Sequence, residues 1–293
     1  MKESESSIIQ TIIDTINTLF SSLCSSIDNN IYSILDDIVF VDSDILNDKF
    51  MSSFFGTSTT SGLILLANSL IIGFALFYIV RYAMSHYTNN QVEQPFQFLF
   101  KLLIYTILAN SSYFIAEQFL NINSLISLSI REIGENIFNC NISFSELITK
   151  LNSVVTLDAP SLDLFSFDGL LRSFISVNLL GLLFTYALRY VILKVFILIT
   201  PFAILTLINS STSWFFKSWF KAVLSLLLLQ SLVSLILLVI FSVDFSSDNV
   251  LSKVICIGSI YALTKANTYI RDLIGGISTD VSTNFSSLKY LIK

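Results

Sequence analysis

Between Arg172 and Phe245 the chain carries long stretches without formal charge, and this pattern restricts it to a lipid environment. Residues 173–188 are uncharged, Arg189 and Lys194 follow, and residues 195–216 are again uncharged but contain Pro201. Lys217 and Lys221 then interrupt a Trp-Phe-Phe-Lys-Ser-Trp-Phe-Lys patch before residues 222–243, which are free of charge. At mid-depth in a bilayer Leu, Ile, Phe and Val each favour insertion by roughly 0.3–0.6 kcal/mol, whereas Lys or Arg opposes it by about 2.5–3.5 kcal/mol. Charge therefore marks where membrane helices end.

Composition agrees. Mean hydropathy is +0.76, 54% of the 293 residues are apolar and only 13% are charged, so a polytopic membrane protein is expected rather than one or two soluble domains. Residues 2–14 do not resemble a cleavable signal, because Lys2, Glu3, Glu5 and Asp14 give neither a basic start nor an unbroken apolar run. Cys24, Cys140 and Cys256 match no metal-ligand spacing; Cys256 reads as a small core residue, and a Cys24–Cys140 bridge is left open.

The predicted fold class is all-α, with about five transmembrane helices and six as the alternative. Residues 1–60 place Ile9, Ile12, Ile16, Leu19, Leu23, Ile27, Ile31, Ile34 and Ile38 on one helical stripe. Asp14, Asp28, Asp36 and Asp37 make this segment too polar to span. Amphipathic helices broken near residues 28–30 are expected, lying on a membrane face or packed as a hairpin. The first two spans fall in residues 61–120: 62–80, about 28 Å as a helix, and 102–120. Asn110, Ser111 and Ser112 sit halfway along the second, where they face neighbouring helices or line a pore. Residues 121–171 are predicted to form a small helical extramembrane module, with helices near 126–138 and 144–154 and Pro160 ending the second.

Residues 172–264 form the core. Arg189 is expected to snorkel to the interface. Residues 195–216 either cross the membrane or continue or re-enter on one side. Spans at 222–243 and 250–264 follow, and residues 265–293 form a tail. Basic residues beside spans favour the cytoplasm. Five spans with the N-terminus outside put eight flanking Lys and Arg inside against four outside; six spans with the N-terminus inside give seven against five. The five-span arrangement, with 195–216 cytoplasmic or re-entrant and both Trp214 and Trp219 at an interface, is preferred.

The runs Arg189-Tyr190-Val191-Ile192-Leu193-Lys194, Ile199-Thr200-Pro201-Phe202-Ala203 and Ser211-Thr212-Ser213-Trp214-Phe215-Phe216-Lys217-Ser218-Trp219, followed by a long apolar span, carry a resemblance. Together they resemble the core of VirB6/TrbL-type membrane subunits of type IV secretion and conjugation systems, over roughly residues 172–245. The resemblance implies a structural subunit of a translocation channel in a bacterial inner membrane, with the N-terminus and the 121–171 module outside and the tail in the cytoplasm. Implied partners are the bilayer, other secretion subunits including a VirB4-like ATPase, and, through the assembled complex, transferred DNA or protein. A homo-oligomer is left open. High Asn, Ile and Ser usage with few Gly and Pro fits an AT-rich bacterial mobile element.

No residue cluster points to catalysis, a cofactor or a metal. His86 reads as a surface residue, and Gly275-Gly276 as a hinge after a helix. Arg189 and Lys194, five apart, diverge by about 140° on a helix and serve as topology anchors or contact a polyanion at a channel mouth. Lys217 and Lys221 share a face, flanked by Trp214 and Trp219. Together with Pro201 these residues are the candidate partner or channel-mouth positions. A self-contained transporter or permease is the alternative function.

Overall fold

The structure is a computed structural model that describes residues 29–55, 62–88, 92–155, 167–243 and 250–275, with single positions at 11, 15 and 18. Ten helices, and no strand, occur among the described residues: α1 (Asn29–Val39), α2 (Asp44–Asn47), α3 (Lys49–Phe55), α4 (Gly62–Thr88), α5 (Pro95–Asn110), α6 (Ser112–Phe138), α7 (Phe144–Val155), α8 (Phe167–Leu205), α9 (Ser213–Phe241) and α10 (Val250–Ile274). The all-α membrane expectation holds. Three helices are long and apolar enough to cross a membrane, in Gly62–Tyr87, Ser173–Ile208 and Ser213–Phe241, and the pair α5–α6 adds a fourth if taken together.

Helix α8 is the axis. Its 39 residues make a rod of about 58 Å, and it packs against α1, α3, α4, α5, α6, α7, α9 and α10. Its first half joins α1, α7, α9 and α10 around Ile175, Leu182 and Tyr186. Its middle, at Leu193 and Ile197, packs on Met51, Phe55 and Leu226, and its end, at Ile204 and Leu205, on Ala67 and Phe98. Helix α9 runs back antiparallel to it, Arg189 meeting Leu226 and Phe196 meeting Trp219.

Residues 195–216 are therefore not a separate segment. Helix α8 passes unbroken through Arg189, Lys194 and Pro201 to Leu205, then tightens to a 3-10 turn at Thr206–Ile208 and turns at Asn209 into α9. Arg189 is satisfied by backbone carbonyls inside the protein and Lys194 pairs with Asp48 at its surface, so neither ends the helix, and the proline gap is filled. Pro201 has no N–H for the Ile197 carbonyl, and the Thr200 hydroxyl donates to that oxygen instead, at 2.6 Å.

The second span also differs from expectation. It breaks at Ser111, where α5 and α6 meet at 61°. The side chain of Asn110, the last residue of α5, forms a reciprocal amide pair with Asn68 of α4, at 3.0 and 3.2 Å, and Ser112 is fully buried. The expected helix near 126–138 is the far end of α6, so the second half of the expected second span and the start of the 121–171 module are one helix. Helix α6 lies along α9, with Asn123 donating to Gln230 at 3.0 Å and the buried Ser127 and Ser231 hydroxyls facing each other at 3.5 Å one turn on. It stops at Asn139, which adopts a left-handed conformation, φ 51°, while its N–H bonds the Glu135 carbonyl.

The fifth expected span, 250–264, lies in α10. That helix packs on α8 and α9, but Lys253, Lys265, Arg271 and interspersed Ser, Thr and Asn keep it out of the set apolar enough to cross. It ends where Gly275, at φ 76°, bonds the Arg271 carbonyl. In α1 the buried residues are Leu35 and Val39, whereas Ile34 of the expected stripe is exposed. The earlier stripe positions, Cys24 and Pro160 lie outside the described residues, as does the side chain of Cys256; Cys140 is a free thiol.

Candidate functional site

The candidate residues divide into a buried clamp and an exposed basic face. Arg189 does not snorkel: it is completely buried, the largest such side chain among the described residues. Its Nε and Nη2 donate to the Leu226 carbonyl of α9 at 2.9 and 2.7 Å, and its Nη1 donates to the Val39 carbonyl at 2.9 Å. Val39 is the last residue of α1, where carbonyls lack helical partners and carry partial negative charge. One cation thus ties the N-terminal segment to both arms of the α8–α9 hairpin. One turn earlier, the Tyr186 hydroxyl donates to the Leu263 carbonyl of α10 at 3.2 Å.

The N-terminal segment is held twice more. The Asp36 carboxylate accepts the Phe144 N–H at 2.8 Å and the Ser145 N–H at 3.3 Å, so α1 caps the N-terminus of α7 from outside its own chain segment. Ser143 caps the same helix locally by accepting the Glu146 N–H at 3.1 Å. Burial, only partly offset by these bonds and by Arg131, raises the Asp36 pKa above the ordinary value of 3.8. Arg131 donates to the Ile142 carbonyl at 2.7 Å and lies over the Phe40 ring at 4.4 Å.

Lys194 points away from Arg189, as their spacing predicts, and pairs with Asp48 at 3.0 Å beside the Tyr190 ring. The Lys194 ammonium, and then the Phe50 N–H, hold the Asp48 carboxylate below its ordinary range. The pair fastens the start of α3 to the middle of α8.

The structure separates the two tryptophans. Trp214 is exposed at the start of α9, as an interfacial indole would be, but Trp219 is buried and its Nε1 donates to the Phe196 carbonyl at 2.9 Å. Lys217 and Lys221 are exposed on the face opposite Trp219, and neither has a carboxylate partner among the described residues. They and the Arg189 clamp are separate sites on one hairpin.

Sequence reasoning missed Asp36, Asp48, Asn68 and Gln230, whose partners lie 42 to 146 positions away. Only the Ser143-Phe-Ser-Glu146 capping signature was legible locally. Among the described residues no group of three or more His, Cys, Asp or Glu stands close enough for a metal ion. What the arrangement offers is attachment, a buried cation joining three helices and a bare basic face beside the hairpin turn. The chain matches no protein-family model and no curated protein.

Proposed function

We propose that this chain is an integral-membrane structural subunit of a type IV secretion or conjugative DNA-transfer channel. It sits in a bacterial cell membrane with the N-terminus outside and the C-terminus in the cytoplasm, and works beside a VirB4-like ATPase. One observation carries this reading. The apolar stretch Ser173–Ile208, made of α8 and the 3-10 turn that follows it, runs for 36 residues, about 54 Å, against a hydrocarbon layer of about 30 Å. The exposed apolar side chains from Phe174 to Val195 already occupy about 32 Å, the whole of that layer, and residues 196–208 are covered by the protein's own helices; a rod longer than the layer suits a part built into a larger assembly. The segment with the VirB6/TrbL-like residues is also one continuous hairpin, α8 to α9.

The test is affinity purification of the tagged full-length chain from its native membrane. Co-purification of a VirB4-like ATPase, and loss of DNA transfer when the gene is deleted, are the expected results; transport by the chain reconstituted alone would replace this reading. That second reading, a permease, draws on the broken helix at Ser111, since discontinuous helices form many transporter sites.

A further inference from the structure

The last turns of α4 and the turn between α8 and α9 enclose an amphipathic furrow. Its polar end, a cavity of about 140 Å³, is lined by Tyr78, Arg81, Glu93, Asn209 and Ser210. Its apolar end, about 270 Å³, is lined by Leu70, Gly73 and Thr212, and the two share Phe74, Phe77 and Asn209. Leu70, Gly73, Phe77 and Arg81 are spaced three or four apart, so they form one exposed row about 16 Å long down α4. A side chain added at Gly73 would meet nothing within 4 Å, which makes that glycine the floor of the furrow.

Charge at the polar end is unbalanced. The Glu93 carboxylate pairs with Lys101, and its backbone carbonyl accepts the Tyr78 hydroxyl at 2.7 Å. Arg81 has no carboxylate partner among the described residues. Asn209 uses its side-chain oxygen to accept the Ser211 N–H at 3.0 Å, which leaves its amide nitrogen as a spare donor. A guanidinium, an amide and a hydroxyl therefore line the furrow where the uncharged run of α4 ends, the position at which a membrane helix meets lipid headgroups.

We propose that this furrow binds one anionic phospholipid of the surrounding bilayer, with its phosphate between Arg81, Asn209 and Ser210 and one acyl chain along Phe77, Gly73 and Leu70. The lipid joins α4 to the hairpin turn, which the protein itself links there mainly through side-chain packing of Phe74 and Ile208. The inference rests on membrane insertion alone and not on the channel reading.

Native mass spectrometry of the full-length protein in detergent tests it, with phosphatidylglycerol, phosphatidylcholine and inorganic phosphate as probes. Phosphatidylglycerol should remain bound in preference to phosphatidylcholine and resist displacement by inorganic phosphate. Arg81→Gln should weaken its retention about tenfold, as loss of a charge-assisted contact does. Gly73→Trp should do the same by filling the furrow, and Arg81→Lys should restore part of the loss. Unchanged melting of each variant in lipid-free detergent separates lost binding from lost folding. Equal retention of phosphatidylcholine, displacement by inorganic phosphate, or wild-type retention by Arg81→Gln overturns the proposal.

Discussion

The guanidinium of Arg189 donates twice to the carbonyl oxygen of Leu226, from Nε at 2.9 Å and from Nη2 at 2.7 Å. Its third bond, to Val39, crosses 150 positions of sequence. Arg189→Ala should therefore cost about 3 kcal/mol, because it opens a cavity and strands the Val39 carbonyl. Arg189→Lys should recover only part, since one ammonium lacks the planar fork that serves both carbonyls. Thermal melting in detergent reads the loss, and protease access to residues 29–55 should rise with it.

Thr200 and Pro201 should be energetically coupled. Thr200→Val is expected to cost about 1 kcal/mol, because the Ile197 carbonyl is left without a donor inside the bundle. With Pro201→Ala in place, the restored backbone N–H serves that oxygen and the same Thr200→Val change should cost almost nothing. A double-mutant cycle on melting measures the difference; equal costs in both backgrounds would dismiss the substitution of hydroxyl for amide.

Asp36 gives the fold a pH dependence of defined sign. Its folded pKa is raised above 3.8, with burial as the main cause, so the neutral carboxyl is favoured in the fold. Its contribution is complete below 3.8 and is lost as pH rises through the higher folded value. Melting temperature should fall over that interval in the wild type and not in Asp36→Asn, which keeps an acceptor for the Phe144 N–H. Asp36→Ala should be less stable than Asp36→Asn by about 1 kcal/mol, the worth of an N-cap.

Gly134 and Gly73 should respond oppositely to enlargement. An added Cβ at Gly134 falls 2.8 Å from Ile142 Cγ1, a fully buried side chain, so Gly134→Ala should destabilise by about 1–3 kcal/mol. At Gly73 the space is open, and Gly73→Ala should be neutral or slightly stabilising in the same melting assay.

Lys217→Glu combined with Lys221→Glu should leave membrane insertion intact, since both side chains are exposed, and on the proposed channel role should abolish complex assembly or DNA transfer. Conjugation at the wild-type level would remove the basic face from the mechanism.

The uncharged runs announced α4, α8 and α9 because helix-scale hydrophobicity is local. Charge was a poorer guide, since a basic residue ends a span only when water or headgroups receive it. Arg189 instead meets backbone carbonyls, and Lys194 meets Asp48, so α8 continues where a boundary was expected. The Asn110-Ser111-Ser112 run stood out as polar, but its conversion into a 61° bend depends on Asn68, in a different helix. Trp219 turns inward for a similar reason: an indole N–H seeks an acceptor, and the Phe196 carbonyl of α8 supplies one inside the bundle.

A rod of 39 residues is also a lever. Tilting α8 by about 10° around its middle would sweep each tip sideways by about 5 Å, in opposite directions. Force applied at the hairpin turn would thus arrive, reversed, beside α7 and α10, with the Arg189 clamp close to the pivot.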